Sequence, residues 1–334
     1  MPKILGEHID RLCTVEMRRP GTVPRGVIRP FYEAALKEGG GDPLSFRAAR
    51  LLMDACSPGV PVFITCNAGV PPYLPWGETD GPPGGAALAH ALNLATGALP
   101  VFVSSDAHAP PIVAAARAAG LFVLPPDMAR KRPRWAAICE RYNETAEEDA
   151  VATALLERYN PSAIVAIESI GPNKDGIMVS ATGYPIPNCP AYHNLFRGAA
   201  RRGIPSVGMG DGGNEIGCGR IQDTVRAIFP NPTGGSDVAT ITSTDVLFFA
   251  SVSNWAAYGT AAMIAALAKN PKALYGDHIE SRVLEAVVGA GAGEGGSANL
   301  YPDVDLIDRR VHVDLVHTLG VMVRNSLDPL IRPY

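Results

Sequence analysis

The chain has 334 residues, 47% of them hydrophobic, enough to bury a sizeable core without disulfide or metal staples. Its formal charge of −4 gives no basic footprint, and the densest basic stretch, Arg130, Lys131, Arg132 and Arg134, is broken by Pro133 and reads as a solvated loop edge, so nucleic acid is not an expected partner. The six cysteines show no C-x-x-C pair or zinc spacing, the start MPKILGEHID leaves no room for a signal-peptide core, and no stretch reaches the roughly 18 apolar residues of a bilayer span, so a soluble cytoplasmic protein with reduced thiols and no membrane partner is expected.

Short β-branched runs at 60–65, 100–105, 120–125, 162–169, 204–210 and 245–251 read as buried strands, and alanine-rich amphipathic stretches at 84–96, 110–119, 144–159, 192–202 and 255–268 read as helices. This alternation predicts an α/β fold: a mostly parallel, Rossmann-like sheet with helices on both faces and right-handed crossovers. One α/β body is expected over residues 1–334, with two lobes meeting near 126–145, where prolines and charges cluster. GAGAGEGG at 289–296 is the one low-complexity patch, too short to link domains, and a homo-oligomer is left open.

Ligands of such sheets bind beyond the carboxyl ends of the strands, so the loops there carry the chemistry. The first strand runs into ITCNAG, which offers Asn67. ETDGPPGG at 78–85 then opens a helix. Asp80 can cap it, with Pro82 and Pro83 tolerated at its start, or Glu78 and Asp80 together can hold a hard cation through oxygen. SSDAHAP offers Ser105, Asp106 and His108, the histidine being a secondary candidate only. Glu168 ends the strand SAIVAIES, where a buried carboxylate is costly unless paired or bound to a metal, whereas Asp175 fits a Lys174-Asp175-Gly176 turn. GMGDGGNEIGCG at 208–219 interleaves Asp211, Asn214 and Glu215 with five glycines between 208 and 217, and the helix-like IQDTVRAI that follows suggests loop N–H groups aimed at an anion. Gly208, Gly210 and Gly213 fit G-x-G-x-x-G, but Asp211 inside that cradle would repel a pyrophosphate, which favours a metal site over a dinucleotide site. Finally VSNWAAYG places Ser253 and Asn254 at the same rim, with Trp255 and Tyr258 as packing residues. Motifs of serine hydrolases, P-loop NTPases and zincins are absent from the sequence.

ETDGPPGGAALAHAL, VAIESIGPNKDG, GMGDGGNEIGCG and VSNWAAYG, in this order and at these intervals, resemble the C-terminal catalytic domain of D-glutamate cyclase and its bacterial relatives, from about IDRLCTVE to VDLID. The resemblance implies closure of D-glutamate to 5-oxo-D-proline with loss of water, or the reverse ring opening, with a manganese-type ion held by acids. Its acidic motif residues fall on Glu78, Asp80, Glu168, Asp211 and Glu215, with Asn214 and Asn254 as polar partners. On that basis Asp80, Asp211 and Glu78 are expected to hold Mn²⁺ or Mg²⁺, which would neutralise the attacked carboxylate. Glu215 or Glu168 would take the amine proton, and glycine-loop N–H groups from 210 to 214 would stabilise the oxyanion. Asn67, Asp106, Gly210, Gly212, Gly213 and Ser253 are the expected substrate contacts, the substrate being a small polar amino acid or lactam.

Two departures from the family, TCNAGV after the first strand and IMVSATGYPIPNCPAYHN after Asp175-Gly176, leave the pocket walls open to a different amino acid or lactam. The competing readings are a divalent-metal-dependent phosphatase and a non-catalytic small-ligand-binding protein.

Overall fold

The computed structural model describes residues 2–17, 19, 25–143, 149–229 and 236–328. Seven strands form one parallel sheet: β1 (Pro61–Cys66), β2 (Leu99–Ser104), β3 (Phe122–Val123), β4 (Ala136–Arg141), β5 (Ala163–Ile167), β6 (Ser206–Gly210) and β7 (Val246–Phe249), in the order β3-β4-β2-β1-β5-β6-β7. The predicted α/β class and parallel sheet therefore hold. The segment near 126–145 carries β4, which lies inside the sheet between β3 and β2.

Twelve helices surround the sheet among the described residues: α1 (Pro2–Cys13), α2 (Ile28–Glu38), α3 (Leu44–Ala55), α4 (Pro82–Thr96), α5 (Ala109–Ala118), α6 (Pro126–Ala129), α7 (Ala150–Tyr159), α8 (His193–Arg201), α9 (Gln222–Ile228), α10 (Ser253–Leu267), α11 (Asp277–Gly289) and α12 (Arg309–Leu327). The helix expected over 144–159 is α7; residues 144–148 lie outside the described residues.

Side chains alternate across the pleat, so each strand feeds two cores. Val62, Ile64, Val165, Ile167, Val207 and Met209 pack with α4, α10 and α12 on one face. Phe63, Ile164 and Ala166 pack with α7 and α8 on the other. α10 is buried along nearly its whole length, which its sequence SNWAAYGTAAMIAAL, apolar on every side, requires.

The strand order reverses at the β1/β5 pair. β1 leads by α4 to β2 on one side, and β5 leads by α8 to β6 on the other, with α4 and α8 on opposite faces. That reversal opens a crevice beyond the carboxyl ends of β1 and β5, where the loops starting at Asn67 and Glu168 diverge. None of the described helices is long and apolar enough to cross a membrane.

Candidate active site

Five carboxylates converge at this crevice from distant parts of the chain. Asp80 comes from the loop after β1, Glu168 from the end of β5, Asp211 and Glu215 from the loop after β6, and Asp305 from the connection between α11 and α12. Their oxygens form two compact sets. Asp80, Asp211 and Asp305 each bring one oxygen within 4.8 Å of the others, as do Glu168, Asp211 and Glu215, so Asp211 belongs to both. Glu78 stands outside both sets but lines the same cavity.

The local backbone explains how so much negative charge is gathered. The first amides of α10 face the acids: Ser253 N–H donates to Asp80 Oδ2 (2.9 Å) and Asp211 Oδ2 (3.1 Å), and Asn254 N–H to Asp80 Oδ1 (2.7 Å). A long helix directs the positive end of its dipole there, which offsets part of the repulsion. The Ser253 hydroxyl donates to Glu168 Oε2 at 2.6 Å. Glu168 itself has φ 47°, in the left-handed region that side-chain-bearing residues seldom occupy, and Asp305 has φ 54°. Two acids held in strained backbone at one site are a mark of function.

Burial pushes the Asp80, Glu168 and Glu78 carboxyls well above the usual range, and the neighbouring acids push them further. For Asp80 and Glu78 the foremost neighbour is Asp305; for Glu168 it is Asp211.

Several expected roles change. The glycine-loop N–H groups do not face an open anion site: Gly212 N–H donates to Glu215 Oε1 (2.7 Å), Gly213 N–H to Glu215 Oε2 (2.8 Å) and Asp211 N–H to Glu215 Oε1 (3.3 Å). The anion they meet is the protein's own Glu215, which folds the loop back on itself. Gly213 permits this turn, with φ 100° and Val225 Cγ1 only 2.7 Å from where a Cβ would stand. Gly210, Gly212 and Gly213 thus shape the loop and are not among the residues lining the cavity.

Asn254, expected as a catalytic partner, is a clamp. Its Oδ1 accepts from Gly81 N–H (3.0 Å) and Gly84 N–H (2.7 Å), and its Nδ2 donates to the Thr79 carbonyl (3.0 Å), so both ends of its amide are used. Ser253 likewise holds acids rather than lining the cavity. Asn67 is buried beneath the rim, where its Oδ1 accepts from Glu78 N–H at 3.1 Å, a positioning contact. Asp106 is not brought to the site at all: it is exposed and bonded to Asn143 and Arg141. His108 is buried, which pushes its imidazole down to about 4.

Asn214 is different. It lines the cavity, its Nδ2 donates to the Val179 carbonyl (2.9 Å), and its buried Oδ1 has no partner among the described residues.

Sequence reasoning missed Asp305 and Glu294. The connection that carries them is stitched to the Glu78 loop by Thr79 N–H to the Gly293 carbonyl (2.9 Å), Gly293 N–H to the Gly77 carbonyl (3.1 Å) and the Thr79 hydroxyl to the Asp303 carbonyl (2.7 Å). Glu294 accepts from the N–H groups of Gly296, Ser297 and Leu306 at 2.7–2.9 Å. Burial raises its carboxyl, but these bonds outweigh that and leave it below the usual range. The single glutamate inside GAGAGEGG was the available signal.

The cavity over these acids measures about 760 Å³. Its described lining includes Glu78, Glu168, Asp211, Glu215 and Asp305 but no Lys or Arg. An all-oxygen, anionic donor set of this kind fits a hard divalent cation of the Mn²⁺ or Mg²⁺ class, not a soft metal.

The family described as D-glutamate cyclase-like, C-terminal, matches residues 38–320. The chain belongs to this family. A curated relative, human mitochondrial D-glutamate cyclase, is 32% identical over 137 residues, covering 40% of this chain and 21% of the relative. The match thus spans about a fifth of that protein's length. Within the family match fall all the acids of the rim, from Glu78 to Asp305.

Proposed function

We propose that the protein is a lyase that closes a glutamate-type amino acid to its five-membered lactam with loss of water, or runs that reaction backwards. The observation that carries this reading is the convergence of buried carboxylates on a cavity whose described lining holds no Lys or Arg. Family membership and the name of the human relative support it.

Asp80, Asp211 and Asp305 would hold the divalent cation. When bound, that ion neutralises the carboxylate under attack and polarises its carbonyl. Asn214 lines the cavity with its amide held by the Val179 carbonyl, and it would orient the nucleophile there. Glu168 is assigned as the proton acceptor: it lines the cavity, and the Ser253 hydroxyl holds one of its oxygens. Glu215 is the weaker alternative, because its oxygens already receive the N–H groups of the glycine loop and would release that loop on protonation. Those same bonds count against the phosphatase reading, which needs free loop N–H groups to receive a phosphate.

The test is incubation of the Mn²⁺-loaded protein with D- and L-glutamate and both 5-oxoprolines, following mass changes of one water. A gain or loss of water that stops on chelation is expected. Phosphate release from ester substrates with no lactam chemistry would replace this reading with the phosphatase.

A further inference from the structure

Asp80 and Asp211 are gripped by the first amides of α10. Asp305 reaches the same point by another route, from a four-residue turn in the connection between α11 and α12. Val304 and Ile307 exchange both backbone hydrogen bonds, at 3.1 and 2.9 Å, and the two residues between them, Asp305 and Leu306, have φ 54° and 60°. Positive φ at both central positions is the pattern of a type I′ turn, which glycine, asparagine and aspartate suit and leucine does not. A turn with leucine at that place needs support from outside it.

The support is Glu294, the one acid of the GAGAGEGG patch. Its Oε1 accepts from Leu306 N–H (2.7 Å), inside the turn, and from Gly296 N–H (2.9 Å), while its Oε2 accepts from Ser297 N–H (2.7 Å). Glu294 is buried and is not among the residues lining the cavity, so its charge serves the backbone. The two glycines after it have a reason to be bare. A Cβ at Gly295 would collide with Glu78 Oε2 and stand 3.3 Å from Asp305 Oδ1, and one at Gly296 would stand 2.5 Å from Leu306 Cγ. Asp305 and Leu306 therefore lie directly on the strip of chain that Glu294 folds. From another side, buried His312 takes the Trp255 Nε1–H on its Nδ1 (2.9 Å), which leaves its Nε2–H to donate to the Ile307 carbonyl (3.3 Å) and ties the turn to α10.

We propose that Glu294 is a positioning residue, which holds the Val304–Ile307 turn so that the Asp305 carboxylate meets the divalent cation beside Asp80 and Asp211. This rests on the cation assignment made above. Metal affinity is what such a residue controls, because a ligand fixed in advance loses no freedom when the ion arrives.

The experiment titrates Mn²⁺ by calorimetry into the metal-stripped full chain, into Glu294→Ala, Glu294→Gln and Asp305→Asn, and into each Glu294 variant combined with Asp305→Asn. Glu294→Ala should weaken Mn²⁺ binding by about 10–100-fold in the parent protein, the range for a partner that orients a ligand. Where Asp305→Asn is already present, the same change should cost about twofold at most. Glu294→Gln keeps the side-chain length and one oxygen, so it carries the same comparison at smaller amplitude should the alanine variant fail to fold. An equal loss in both backgrounds, or none in either, makes Glu294 an ordinary structural residue and overturns the inference while the cation site stands as assigned. Asp305→Asn that binds Mn²⁺ as tightly as the parent takes Asp305 off the ion and overturns it too. A parent chain that does not bind Mn²⁺ removes the cation reading and the inference with it.

Discussion

Asp10 and Glu280 are as deeply buried as any acid at the rim of the sheet, yet they are held in the opposite manner. Asp10 accepts from Leu44 N–H (2.6 Å), Ser45 N–H (3.0 Å) and the Tyr32 hydroxyl (2.9 Å), so a residue of α1 caps the start of α3. Glu280 accepts the hydroxyls of Tyr258 and Tyr275, each at 2.6 Å, and ties α10 and α11 together. Each has donors of its own, and burial is the foremost influence on its carboxyl, pushing it up against them. At the rim, Asp80, Glu168 and Glu78 are raised by burial and by one another as well. An acid surrounded by donors is a joint in the structure; acids that face each other await a charge from outside.

The sharpest way to break this contrast is Asp211→Asn. Turnover should fall by about a thousandfold and Mn²⁺ affinity should drop in calorimetric titration. Metal-free thermal stability should stay level or rise, because one like charge has gone. A variant that unfolds instead would make Asp211 a joint after all. Asp10→Ala should do the reverse. It strands three donors and uncaps α3, for a loss of about 3 kcal/mol in denaturant unfolding, with kcat/KM of the folded enzyme unchanged.

Adding Mn²⁺ should stabilise the protein by about 2.7 kcal/mol at a hundredfold excess over Kd, read as a rise in melting temperature. Asp80→Asn should lose that gain and Asp10→Ala should keep it. Should both variants respond alike, the rim would not be where the ion binds.

The last contrast, read as a slope against pH, belongs to Glu280. Burial raises its carboxyl to about 7 from the ordinary 4.5, so between those values the folded state keeps a proton that the unfolded state has lost. Stability therefore falls as pH rises through that window. Glu280→Gln should flatten the decline by up to one proton, about 1.4 kcal/mol per pH unit, in melting curves compared with the parent protein. The rim acids contribute a decline of the same sign to both proteins and cancel in the difference. Identical slopes would mean that Glu280 is ionised throughout.

The strands that carry the site were legible because β-branched runs such as VPVFIT and SAIVAIES end in polar residues, and a parallel sheet brings such ends to one side. β4 was not, since AAICER follows a cluster of prolines and charges and ends in charge. The helices α1 to α3, α11 and α12 also went unread. Within the site, residue types at strand ends identified Glu168, Asp211 and Glu215, but their division of labour lay in hydrogen bonds that no spacing reveals. Asn254 meets Gly81 across 173 positions, and Asp305 reaches the rim only because the Gly293 backbone pairs with the Glu78 loop. Asp106 shows the converse. It follows a strand as the others do, but its carboxylate is exposed and engaged by Arg141 and Asn143.

Asn254 makes the starts of α4 and α10 a single mechanical part. A Cβ at Gly84 would stand 2.8 Å from Asn254 Oδ1 and 2.9 Å from Ala257 Cβ, so the helices are in contact where they begin. Neither can slide without separating Asp80, which α10 grips by two amides, from the acid that follows β6. Transplanting this chemistry to another doubly wound sheet therefore means moving both helices as one block. Retuning it calls for changes in the cavity walls, which lie outside that block.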